Sequence, residues 1–211
     1  METGMITSVQ KMTSLNPLAE KLKAYHIILG SGSPRRKMFL EQLGLQFEVR
    51  KKEVDEVYPD HLQGEEISSY LAELKASPFK AELQENEILV TSDTVVWHNN
   101  QSLAKASDAK EAFHMLRTLS GDWHEVITSV CITTSQKQKT VSASTSVKFM
   151  EFSDAEIEFY IEACQPFDKA GAYGIQEWLG FVGISEIKGS YTNVVGLPTH
   201  LVYKTLMDMV S

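Results

Sequence analysis

Apolar residues along this chain fall into two patterns that alternate: short continuous runs, and runs spaced by three or four. The first pattern reads as buried strands and the second as amphipathic helices. Residues 25–29 form a strand-length apolar run that enters Gly30-Ser31-Gly32-Ser33. Ser33 is an N-cap, Pro34 suits a first helical position and Gly44 a left-handed stop, which predicts a helix over 34–43. Residues 46–50 read as a second strand, followed by an acidic turn at 54–57. Ile67, Leu71 and Leu74 line one face of a helix that carries Lys75 on its last turn and breaks at Ser77-Pro78. Residues 88–91 form a buried strand ending at Ser92-Asp93-Thr94, followed by Val95-Val96-Trp97 and a polar turn at 98–101. Ser107 caps a helix with face Ala112, Met115, Leu116 and Leu119, closed by Gly121. The segments 123–134 and 140–150 are the most hairpin-like pair. Ser153 and Glu156 make a capping box, 168–180 a glycine-rich loop, 181–187 a strand, and Pro198 opens the last helix. Strands and helices interleave, but the hairpin rules out an all-parallel sheet. The expected class is α/β with a mixed sheet and flanking helices.

No repeat, low-complexity tract or long linker divides the chain, so residues 25–211 read as one domain behind an N-terminal extension, 1–24. That extension alternates polar and apolar residues without the hydrophobic core of a signal peptide, and reads as loosely ordered, with Met5 an alternative start. A net charge of −8 argues against a nucleic-acid partner, which wants a basic face, but leaves room for one basic pocket. No run approaches transmembrane length, so no membrane partner is expected. Cys131 and Cys164 show no metal spacing and read as free thiols in a reducing, cytoplasmic setting.

The most informative chemistry lies at residues 25–37. A helix N-terminus exposes free N–H groups and a positive dipole end, which is where phosphate binds. Arg35 and Arg36 in the first turn work against that dipole unless an anion is present; otherwise both point into solvent. The string is neither a Walker loop, since no G-x-x-x-x-G-K-[ST] occurs, nor a dinucleotide fingerprint, because Arg35 stands where the third glycine belongs. Asp93 directly follows an apolar strand, a position equally suited to a turn former and to a functional acid. The run 168–176 joins an acid, a cation, two glycines, a tyrosine and an amide, poor material for a core. Segment 189–198 ends in a helix start, a second possible anion site, and His124 is the one histidine beside a turn worth watching.

These pieces together resemble the Maf (septum-formation protein) family. The resemblance rests on Ser-x-Ser-Pro-Arg-Arg, Asp-Thr after a strand, Leu-Ser-Gly-x-x-His-x-Val, Asp-Lys-Ala-Gly-Ala-Tyr-Gly-Ile-Gln and Asn-Val-x-Gly-Leu-Pro, in this order across residues 25–207. It implies a cytoplasmic, usually homodimeric nucleoside triphosphate pyrophosphatase with a cleft between two lobes. It implies phosphate contacts for Ser31, Ser33 and Arg36, with Lys75 adding positive charge, and it puts Arg35, Lys105 and Lys169 among the substrate-binding residues. Lys105 lies in Ala104-Lys105-Ala106 where the family usually has Gly-Lys-Pro, so its role carries over while the flanking turn does not. Asp93 matches the family's general base, and Glu56 in the Asp-Glu turn joins it in holding a divalent cation, Mg²⁺ or Mn²⁺. Ser92 stands where alanine is commoner. Arg35, Thr94 and Gln176 match the branch that prefers dTTP and UTP over 7-methyl-GTP at all three discriminating positions. The chemistry implied is in-line attack of water on the α-phosphorus, with cations neutralising the phosphates. A second reading, invited by the family's name, is a nucleotide- or partner-binding regulator of septum formation without significant catalysis.

Overall fold

The structure, a computed structural model, describes residues 16–210. Its first element, helix α1 (Pro17–Lys21), opens on Asn16, whose side chain accepts from the Ala19 amide, with Pro17 at the first position. Leu18 and Leu22 are buried in the main core, so residues 16–24 belong to the folded body and not to a loose extension. The candidate start at Met5 lies outside the described residues. Strand β1 (His26–Leu29) leads through the Gly/Ser loop into α2 (Pro34–Gln42), where Ser33 is the N-cap and its hydroxyl accepts from the Arg36 amide. β2 (Phe47–Val49) follows, then α3 (Glu65–Ala76), which Pro78 ends in a short 3₁₀ turn.

The long strand β3 (Glu87–His98) turns back through Asn99 and Asn100, both at positive φ, into β4 (Gln101–Leu103). Helix α4 (Ala109–Leu119) is capped by Asp108, one residue after the expected Ser107. Ser107 instead donates through its amide and hydroxyl to Glu111. The expected hairpin is β5 (Trp123–Thr133) with β6 (Gln138–Phe149), and the capping box opens α5 (Asp154–Cys164). The segment 181–187, read as a strand, is divided: α6 (Trp178–Gly183) runs into β7 (Ile184–Lys188). Two glycines that discourage helix are placed there by packing. A Cβ at Gly180 would lie 2.1 Å from the Ile175 carbonyl, and one at Gly183 2.2 Å from the Phe152 ring. Two further helices, α7 (Tyr191–Val195) and α8 (Thr199–Met209), complete the described chain.

Among the described residues the sheet has seven strands, ordered β2-β1-β3-β5-β6-β7, with β4 beside the far end of β3. β1 pairs in parallel with β2 and β3, and the other pairings are antiparallel, so the class is α/β with a mixed sheet. The two largest apolar cores among the described residues mark out two lobes. One gathers Leu18, Leu29, Phe39, Leu40, Val90 and Leu206 around β1, α2 and α8. The other gathers Leu116, Phe149, Phe152, Tyr160 and Leu179 around α4, α5 and β6. β3 runs through both, contributing Ile88 and Val90 to the first and Val96 to the second. The residues between those two anchors, 91–95, cross the boundary between the lobes.

Candidate active site

Strand β3 is unevenly covered along one edge. β1 pairs with residues 87–90 and β4 with 96–98, so residues 91–95 have no strand partner on that side, while β5 covers the other edge throughout. An uncovered strand edge exposes backbone acceptors, and one of them is met by a side chain. Arg36 on the first turn of α2 donates from Nη1 to the Ser92 carbonyl at 2.8 Å. Its Nε reaches the Gly196 carbonyl at 3.1 Å, Nη2 the Thr94 hydroxyl at 3.2 Å and Nη1 the Ser31 hydroxyl at 3.4 Å. Arg36 thus stitches the phosphate loop, β3 and the segment after α7 together. Burial draws its pKa below the usual guanidinium value against the attraction of Asp93, with Arg35 adding to the fall. Arginine has margin enough to stay charged at neutral pH.

Asp93 sits in the middle of that uncovered stretch, 7% exposed. Its Oδ1 accepts from Lys75 Nζ at 2.6 Å, and the same ammonium lies 3.0 Å from Glu56 Oε2. The last turn of α3 delivers Lys75 because Ile67, Leu71, Ala72 and Ala76 fix that helix against β1 and β3. Lys75, Asp93 and Glu56 come together as the resemblance implied, but Lys75 is committed to the two carboxylates.

The cleft around these groups has a volume of about 1040 Å³, large enough for a nucleotide. Ser31, Ser33, Arg35, Arg36, Lys105 and Thr94 line it, as do Lys169 and Gln176 from the glycine-rich loop. Arg35 crosses the mouth to Asp168 at 3.4 Å. Lys169 reaches Asp168 at 2.7 Å and Glu177 at 2.8 Å. Lys105 is exposed, its backbone bridged to Ala170, and Gln176 is exposed at the rim. The Thr94 hydroxyl is already shared with Arg36 and with Thr128 Oγ1, 3.0 Å away.

Three sequence signals gain a structural context. In segment 189–198 the cap hydroxyl of α7 on Ser190 accepts from the Asn193 amide, the Gly196 carbonyl serves Arg36, and Pro198 opens α8 as expected. His124 belongs to the second core, hydrogen-bonded to the Tyr173 hydroxyl at 2.7 Å and packed on Phe149, and burial pushes its pKa down to about 3. Ser92, in place of the commoner alanine, carries a buried hydroxyl with no hydrogen-bond partner among the described residues. The lining residues that the sequence motifs did not point to include Lys51 and Glu177. The adjacent cations Lys51-Lys52 directly after a strand were the available signal for the first. Glu177 follows Gln176, and it accepts from the buried Tyr160 hydroxyl, which itself accepts from the Gly174 amide at 3.0 Å.

A carboxylate held on an uncovered strand edge, beside a helix-terminal phosphate loop and a ring of cations, defines an enzyme that cleaves phosphoanhydrides. The chain belongs to the Maf-like protein family, whose profile matches residues 26–209. It is 54% identical over 193 residues to the dTTP/UTP pyrophosphatase of Flavobacterium johnsoniae, covering 92% of this chain and 100% of that protein. The protein of the same name in Flavobacterium psychrophilum is 53% identical, over 90% of this chain and 98% of its own length. The one in Bacteroides fragilis strain YCH46 is 47% identical, over 89% and 98%.

Proposed function

We propose that this protein hydrolyses dTTP and UTP to the monophosphate and pyrophosphate. The observation that carries the reading is the position of Asp93: a buried carboxylate on the uncovered edge of β3, opening into a cleft whose other wall is a phosphate loop. Ser31, Ser33 and the first turn of α2 receive a phosphate group, and the surrounding cations offset a charge close to four negative. Asp93 orients a water and takes its proton as it attacks the α-phosphorus in line, and pyrophosphate leaves. Lys75 fixes the rotamers of Asp93 and Glu56 so that both face the reacting phosphate.

Two convergent carboxylates are a fitting donor set for Mg²⁺ or Mn²⁺, because Mg²⁺ commonly takes one or two carboxylates and completes its shell with water and phosphate oxygens. No group of three or more His, Cys, Asp or Glu side chains suited to a metal occurs among the described residues, and water and substrate oxygens would complete the shell. Asp93 and Glu56 would hold the cation, which supplies charge neutralisation at the phosphates when bound. The reading extends to a homodimer in the cytoplasm on the strength of the family resemblance; among the described residues no helix is long and apolar enough to cross a membrane.

The test is a panel of nucleoside triphosphates incubated with purified protein and Mg²⁺ or Mn²⁺, assayed for pyrophosphate. Release from dTTP and UTP that stops when EDTA is added is the expected result. A protein that binds nucleotides and releases nothing is a binding regulator instead.

A further inference from the structure

The cations of the cleft are unequally engaged. Arg36 is held by backbone carbonyls and hydroxyls, Lys75 by two carboxylates, and Arg35 and Lys169 by Asp168. Lys52 turns away to Glu82 and the Pro78 carbonyl. Among the described residues, that leaves Lys105 and Lys51 as the lining cations whose ammonium groups make no hydrogen bond or ion pair. Lys51 stands outside every motif of the family resemblance. It leaves the end of β2 and lays its side chain over the phosphate loop: a Cβ added at Gly32 would lie 2.6 Å from Lys51 Cε and 2.7 Å from Nζ. The missing side chain of Gly32 is therefore the space that the lysine occupies. An ammonium placed there adds a mobile point charge to a loop already built for anions.

We propose that Lys51 is a phosphate clamp, closing over the Gly32 loop onto the leaving pyrophosphate part of the triphosphate. The assignment rests on the pyrophosphatase reading above. The strand order places the attacked phosphorus elsewhere. β2 is the outermost strand, separated by β1 from the β3 segment that bears Asp93, so Lys51 meets the phosphates on the side of the loop away from the reacting centre. It belongs to a different lining segment from the loop holding Gln176, and the clamp gives it no part in reading the base.

The test compares wild type with Lys51→Gln and Lys51→Arg, reading kcat and KM for dTTP and the binding of two probes, inorganic pyrophosphate and dTMP. One charge-assisted contact from an exposed lysine corresponds to roughly tenfold in affinity. Lys51→Gln is expected to raise KM for dTTP and weaken pyrophosphate by that factor, to leave kcat and dTMP binding within twofold, and to keep the melting temperature. Lys51→Arg restores most of the affinity. Gly32→Ala, which pushes the lysine off its seat, weakens pyrophosphate binding in wild type and costs nothing further in Lys51→Gln. Unchanged KM and pyrophosphate affinity in Lys51→Gln, or an equal loss for dTMP, overturns the clamp. If wild type binds pyrophosphate without cleaving dTTP, the substrate reading fails, while the pyrophosphate comparison still decides the role of Lys51.

Discussion

Lys75 and Asp93 meet at 2.6 Å across the boundary between α3 and β3, and Glu56 joins the same ammonium at 3.0 Å. One lysine thus holds two carboxylates side by side at the one stretch of β3 edge that neither β1 nor β4 covers. Removing the charge of Asp93 while keeping its shape separates the base from the scaffold. Asp93→Asn is expected to fold and melt near wild type and to lose about 10²–10⁴-fold in turnover, the usual cost of a lost general base. Steady-state kinetics beside a melting curve checks both halves. Turnover within a few-fold of wild type would take Asp93 out of the mechanism.

Arg36 is the residue for which a cation of any shape will not serve. Its guanidinium satisfies the Ser92 and Gly196 carbonyls and touches two hydroxyls at once, a fork that an ammonium cannot reproduce. Arg36→Lys keeps the charge and leaves a carbonyl without its donor, at a cost of about 1–3 kcal/mol in stability. Chemical denaturation should show that loss together with a raised KM for dTTP. A variant as stable as wild type would show that Arg36 serves substrate alone.

The first-turn arginines, the Ser33 cap and Pro34 were readable because a helix N-terminus is written in local chemistry, and α2 begins where that chemistry says. The hairpin of β5 and β6 was legible for the same kind of reason, two strand-length runs about a polar turn. What the chain could not show locally was set by tertiary contact. α6 reads as strand because Phe181 and Val182 favour one, yet Gly180 and Gly183 are required by the Ile175 carbonyl and the Phe152 ring. Helix α1 is too short for periodicity to reveal, although Asn16 and Pro17 mark its start. In the site, the residues that gather around Asp93 could be named from motifs. That Lys75 binds the acids, that Arg36 covers a strand edge, and that Lys51 overlies Gly32 depend on long-range placement that no spacing encodes.

His124 gives the structure a pH signature. Burial holds its pKa down at about 3, against an unfolded value near 6.5, so the unfolded chain takes up a proton in that window and the folded one does not. Its neutral form therefore contributes stability that is present above pH 6.5 and lost as pH falls toward 3. His124→Gln, which cannot titrate, is expected to be less stable than wild type at pH 7 through the lost contact with Tyr173. The gap should narrow by about 1.4 kcal/mol for each pH unit below about 6. Urea melts at pH 7, 6 and 5 measure it, and a gap independent of pH would mean that His124 titrates in the fold as it does in the unfolded chain.

Base preference is assigned to the rim, where Gln176 is exposed and faces the cleft. A neutral amide offers a donor and an acceptor to a pyrimidine edge of carbonyls and N–H. A methylated guanine carries positive charge and favours an aromatic partner and a carboxylate. The expected order of kcat/KM is dTTP and UTP well above 7-methyl-GTP, with Gln176→Glu weakening the discrimination. Side-by-side measurement giving 7-methyl-GTP as the best substrate would contradict the assignment and leave the pyrophosphatase intact.

Attack of an Asp93-activated water on the α-phosphorus can be followed by hydrolysing dTTP in ¹⁸O-labelled water. The expected products are dTMP and pyrophosphate, with the label in the dTMP phosphate. Label in pyrophosphate, or release of orthophosphate and dTDP, would place the attack at another phosphorus and contradict that expectation.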